Sequence, residues 1–155
     1  MYGRSMGDRM RGAAALDVDV FEEVEADATA TGQAAGVVAI VAVAQAIGAS
    51  GLGIWAMVGG VLTALLGWLI WAGVTYVVGD ILLGGTATWG ELLRTLGFAQ
   101  SPGVLTVFGI VPLLGGMVRL AVAIWLLAAG IVALRQALDF GTGKAILTAV
   151  LGWLV

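Results

Sequence analysis

The composition of this chain calls for an all-α fold: a polytopic transmembrane helical bundle with about five membrane segments and a short N-terminal amphipathic helix. Of its 155 residues, 61% are hydrophobic and only 11% are charged, and its mean hydropathy is +1.07. Soluble domains carry about 25% charged residues. A water-facing surface cannot be assembled from so few charges, whereas lipid accepts an apolar exterior provided the backbone bonds to itself. The apolar residues also gather into long runs separated by short polar breaks.

The first element is polar. Residues 1–29 form an N-terminal segment ahead of a membrane domain at 30–155. Arg4, Arg9 and Arg11 precede an acidic stretch containing Asp17, Asp19, Glu22, Glu23, Glu25 and Asp27. A secretory signal needs an apolar region directly after its basic start, so an uncleaved cytoplasmic N-terminus is expected. Residues 17–29 have the pattern of an amphipathic helix, with Val20, Phe21, Val24 and Ala28 on one side. Asp19 and Glu22 have capping-box spacing. The acidic residues lack the spacing of a calcium loop and read as a solvated helix face.

Five apolar segments follow. The first covers Ala34–Ile47, with Ala30 as an earlier candidate start, and turns at Gly48–Gly53. The second, Ile54–Val78, extends about 37 Å at 1.5 Å per residue, enough to cross a hydrocarbon core of about 30 Å. Asp80 ends it. Thr86–Gln100 mixes Trp89, Leu92, Leu93, Leu96 and Phe98 with Glu91 and Arg94, the pattern of a helix lying at the headgroups. Gly103–Leu114 is a tilted third span or half of a hairpin. Met117–Leu134 is the fourth span. Lys144–Val155 is a last segment of only about 18 Å, which crosses a thinned region, stops partway or leans on a neighbour. An odd number of crossings puts the termini on opposite sides. The positive-inside rule then places the N-terminus, and six of the seven basic residues, in the cytoplasm. The C-terminus falls outside, with Arg119 alone near the outer face.

Absences narrow the function. The chain has no Cys and no His, which removes disulfides, imidazole-ligated metals and histidine-dependent nucleophilic catalysis. Gly141-Thr142-Gly143-Lys144 lacks the remaining residues of a phosphate loop, with Leu138 and Ala145 at the defining positions. It reads as a turn with a snorkelling lysine. No cofactor, metal site or nucleic-acid partner is predicted, while a bound lipid is compatible with the composition.

The residues left to carry function are those that pack or meet lipid. Ala56, Gly60 and Ala64 repeat every four residues, roughly continued by Gly67, the small-residue pattern that lets membrane helices approach closely. It serves internal packing or oligomerisation. Trp68 and Trp71 sit near the middle of the second span, away from the interfacial belt that suits Trp55 and Trp89. They pack inside the bundle or face a partner or an apolar ligand. Arg119 lies two residues into its span. It is an interfacial anchor, a buried pair, or a contact to a lipid phosphate or partner; no carboxylate is expected at its depth, which favours an external partner.

The second half resembles a known family. The run Gly84-Gly85-Thr86-Ala87-Thr88-Trp89, then Leu92 to Ala99, then Ser101-Pro102, is similar to the Yip-domain (Ypt/Rab-interacting protein) membrane family. Ile110-Val111-Pro112-Leu113-Leu114-Gly115-Gly116 fits its Pro-and-Gly element. Gly130, Leu134 and Arg135, followed by Thr142-Gly143-Lys144-Ala145, fit two further segments. The resemblance implies a five-span helical domain with a cytoplasmic N-terminus and no catalytic residues. Eukaryotic members engage Rab-type small GTPases and reticulon-like proteins. This sequence lacks their long N-terminal region and Asp-Leu-Tyr-Gly-Pro motif, and is more similar to the short prokaryotic members. The expectation is a non-catalytic scaffold or accessory subunit in a prokaryotic cytoplasmic membrane, in contact with lipids and with other integral membrane proteins or its own copies. A transporter or channel using Gln45, Thr63, Thr75, Tyr76 and Arg119 is the alternative. A lipid-acting enzyme built on Asp80, Glu91 and Arg94 is a third reading.

Overall fold

A computed structural model describes residues 4–49 and 53–153, and every described regular element is helical. Two short polar helices, α1 (Met6–Ala14) and α2 (Val18–Ala26), precede the apolar segments. Then come α3 (Ala30–Gly48), α4 (Ile54–Tyr76, extended by a π-helical stretch Val77–Leu82), α5 (Trp89–Ala99), a 3-10 helix (Ser101–Ile110), α6 (Gly115–Ala137) and α7 (Thr142–Trp153). Residues 50–52 of the expected turn and the last two residues of the final segment lie outside the described residues.

Among the described residues, three helices are long and apolar enough to cross a membrane: Ala30–Gly48, Ile54–Leu82 and Gly115–Ala137. The other two apolar segments are present but short. The ten residues of the 3-10 helix rise about 20 Å at 2.0 Å each. Helix α7 begins beside the end of α4 and brings Gly152 only to the level of Trp71 and Thr75. The described part of α7 therefore stops partway along α4, well short of an outer exit. Asp80 does not end the second span, because the π-helical stretch carries the helix on to Leu82.

The centre of the bundle is α5, which corrects its reading as a surface helix. Every residue from Leu92 to Ala99 is buried, and α2, α3, α4 and α6 all pack on it. Its polar residues, which suggested a surface, are satisfied inside. Thr88 and Glu91 form a reciprocal capping box at its start, with Oε2 of Glu91 accepting from the Thr88 N–H at 2.7 Å. The Arg94 guanidinium donates to the carbonyls of Val24, at 2.9 Å, and Glu25. The N-terminus of α2 is also corrected. Its cap is Asp17, whose carboxylate accepts from the Asp19 N–H at 3.1 Å, so the cap stands two residues earlier than the Asp19–Glu22 spacing implied.

Glycine permits the tightest crossings. A Cβ on Gly97 would lie 2.7 Å from the Cβ of Ala34, and one on Gly48 would lie 1.9 Å from the Thr106 carbonyl oxygen. These close approaches put α5 and the 3-10 helix directly against α3, whose apolar window is 44% buried against 22% for α4 and for α6. Overpacking costs about 1–3 kcal/mol. Gly97→Ala is therefore expected to lower the thermal unfolding midpoint in detergent. Gly116→Ala, where a Cβ meets nothing within 4 Å, leaves it unchanged.

Candidate functional site

Helices α4 and α6 lean on α5 and α7 but share no extended interface with each other. Between them is a cleft of about 710 Å³, walled by Trp71 of α4, Leu127, Gly130 and Leu134 of α6, and Ile146 of α7, with Leu96 of α5 at its base. A second hollow of about 290 Å³ lies toward the other end of α6, lined by Gln45, Thr106, Arg119 and Val122. Leu126 lines both. The second is walled by α3, the 3-10 helix and α6, so the pair makes a groove along α6, apolar in the first part and polar in the second.

The expected residues part company here. Arg119 and Trp71 come to opposite ends of the groove. Trp68, three residues from Trp71, is buried and donates its indole N–H to the Leu93 carbonyl at 3.0 Å, so it holds α4 to α5. Ala56, Gly60 and Gly67 are exposed, and a Cβ at either glycine meets nothing within 4 Å. Internal packing is therefore not their use within this chain. Thr63 is exposed on the same side, whereas Ala64 turns partly inward against the core. The outward stripe is Ala56, Gly60, Thr63 and Gly67, spaced three and four residues apart. The period revealed the stripe but not its direction.

Arg119 has an internal partner, a backbone carbonyl. One guanidinium N–H donates to the Gly48 oxygen at 3.1 Å, closing the C-terminus of α3, where carbonyls lack helical partners and a cation is favoured by the dipole. Gln45 is exposed one turn below. The remaining polar candidates are not brought to this place. Thr75 is buried and donates to the carbonyl of Trp71 at 2.9 Å. Lys144 donates to the Leu83 carbonyl at 3.2 Å and lies 5.0 Å over the Phe140 ring, which gives it a structural role and no phosphate cradle. Sequence reasoning missed Leu96, Gly130 and Ile146 as groove residues, because nothing in an apolar run says which face a neighbour leaves uncovered.

At the end of the bundle away from Arg119 lies the polar assembly of α1 and α2. Arg9, its side chain 4% exposed, reaches Asp27 at 2.7 Å and Glu23 at 3.0 Å, and Arg4 reaches Glu23 at 2.9 Å. The acidic stretch is thus in part an internal clamp, where a solvated face was expected. Hydrogen bonds from Thr29 and then Arg9 hold the Asp27 carboxyl down to about 2. Glu25 goes the other way: partial burial, and then repulsion from Glu91, Asp139 and Glu22, raise it to about 7 against the attraction of Arg94.

The pH response follows from these two shifts. A carboxyl raised in the folded state favours folding fully below its ordinary value of 4.5, and that contribution is lost as pH rises through about 7. The contribution of Asp27 is present above its ordinary 3.8 and disappears as pH falls through about 2. Between pH 6 and 8 the clamp persists while Glu25 ionises. Proteolysis of the segment ahead of α3 is expected to quicken as pH rises through about 7, and Glu25→Gln should flatten that rise. A wild-type profile flat from pH 6 to 8 would show that Glu25 is not in this environment.

Comparison with curated proteins and with solved structures gives no significant match. The Yip1 domain family profile matches residues 19–155, running from α2 to the end of α7 and taking in both the groove and the buried α5. The order of elements, three long apolar helices among shorter ones with polar helices in front, is that of an integral membrane protein. The chain belongs to the Yip1 domain family.

Proposed function

We propose that this chain is a non-catalytic membrane scaffold or accessory subunit whose α4 docks against a helix of another integral membrane protein or of a second copy. The observation that carries this reading is the outward stripe of Ala56, Gly60, Thr63 and Gly67 on a helix that the rest of the chain leaves largely uncovered. Lipid tails are as apolar as leucine, so membrane helices associate through close packing, and small residues permit the closest approach. Two of the three polar residues weighed for enzymatic chemistry support the same reading: Arg94 and Glu91 are engaged in structural hydrogen bonds.

The membrane we assign is the prokaryotic cytoplasmic membrane, with α1 and α2 on the cytoplasmic side. Contacts of Arg9, Arg94 and Lys144 lie at the α2 end of the bundle, while Arg119 binds the opposite end of α3. That asymmetry supports a cytoplasmic N-terminus by the positive-inside rule.

Mild-detergent extraction followed by a native gel and mass spectrometry of the band tests the proposal. A stoichiometric band holding this chain with a partner, or with itself, is expected. Gly60→Leu should shift that band to the single chain, since a Cβ there meets nothing within 4 Å and the added side chain extends outward from an exposed position. A variant migrating as the wild-type complex would remove this face from the assembly.

A further inference from the structure

We propose that the two adjoining hollows along α6 bind one anionic glycerophospholipid, its phosphate held by Arg119 and Gln45 in the hollow against α3 and an acyl chain lying in the cleft beside Trp71. This is independent of the docking face on α4.

The polar end of the groove is built for an acceptor group. Guanidinium offers five N–H donors in a planar fork suited to phosphate. Arg119 uses one on the Gly48 carbonyl, and among the described residues no carboxylate pairs with it. The Gln45 amide, exposed in the same hollow, makes no side-chain hydrogen bond among them either. Polar side chains left unpaired in a lipid setting are costly, and a phosphate oxygen would satisfy both.

The other end is built for hydrocarbon. The 710 Å³ cleft lies within the range of about 300–1,000 Å³ typical of small-molecule sites. Fifteen residues of α6 separate Arg119 from Leu134, about 22 Å at 1.5 Å per residue, a length suited to an extended acyl chain. Leu126 borders both parts, so the two hollows adjoin along α6. A soluble anion would use only the polar hollow, and a bare hydrocarbon only the cleft. The combination of a cation at one end and a long apolar wall fits an amphiphile.

Native mass spectrometry of the full chain, released from detergent after equilibration with phosphatidylglycerol or phosphatidylcholine, tests this. Wild type is expected to retain one phosphatidylglycerol in preference to phosphatidylcholine. Arg119→Gln should weaken retention about tenfold or more, the equivalent of one charge-assisted hydrogen bond. Because Arg119 also closes α3, Gln45→Leu serves as a second variant at the polar end, with circular dichroism confirming the fold of each. Gly130→Phe should block the chain site without disturbing Arg119, since a Cβ at Gly130 meets nothing within 4 Å. Equal retention of the two lipids overturns the proposal, as does retention unchanged by Gly130→Phe or by both polar-end variants. A polypeptide in place of lipid, displaced by Gly130→Phe, would also overturn it.

Discussion

Three of the seven basic side chains close the carbonyl end of a helix elsewhere in the chain. Arg94 of α5 binds the last turn of α2, Arg119 of α6 binds the last residue of α3, and Lys144 of α7 binds Leu83 at the end of the π-helical extension of α4. Helix ends leave carbonyls without partners, and in lipid no water stands ready to take them. In a chain so poor in charge, cations supplied from distant helices answer that need. Each such bond also ties together segments 61 to 71 residues apart, so satisfying the backbone and fixing the topology become one act.

The buried helix α5 shows how this economy reshapes the bundle. Membrane proteins gain little from hiding apolar side chains, since lipid would cover them equally well. What draws α5 to the centre is its fit: glycine against Ala34, an indole donating to Leu93, and a guanidinium reaching α2. With α5 inside, α3 becomes the well-covered span. Helices α4 and α6 are pushed to the flanks, where each leans on α5 and neither covers the other. The groove is thus a by-product of the central helix, and the outward stripe of α4 follows from the same displacement.

The long apolar helices were legible in the sequence because hydropathy measures what lipid selects. The limits of that signal show at particular residues. Arg94 and Glu91 made α5 look like a surface element, although their partners are backbone groups that leave no mark on the side-chain pattern. The stripe through Gly60 was legible as a period, but its direction was not, since inside and outside are both apolar and no polar face marks solvent. Trp68 and Trp71 are alike in sequence context, yet one is a fastener and the other a wall. Arg119 could be recognised as needing a partner; that the partner would be the Gly48 carbonyl depended on a loop returning the chain to that point. The Yip-domain resemblance, resting on residues 84–145, agrees with the family profile over residues 19–155.

The unequal lengths of α4 and α6 have a consequence for the surrounding bilayer. Twenty-nine helical residues make α4 about 43 Å long, beyond a hydrocarbon core of about 30 Å, while the 23 residues of α6 reach about 34 Å. A flat bilayer fits the second flank better than the first. Tilting shortens the projection of α4, and lipids beside it stretch to cover what remains. The two flanks thus impose unequal mismatch on their annular lipids.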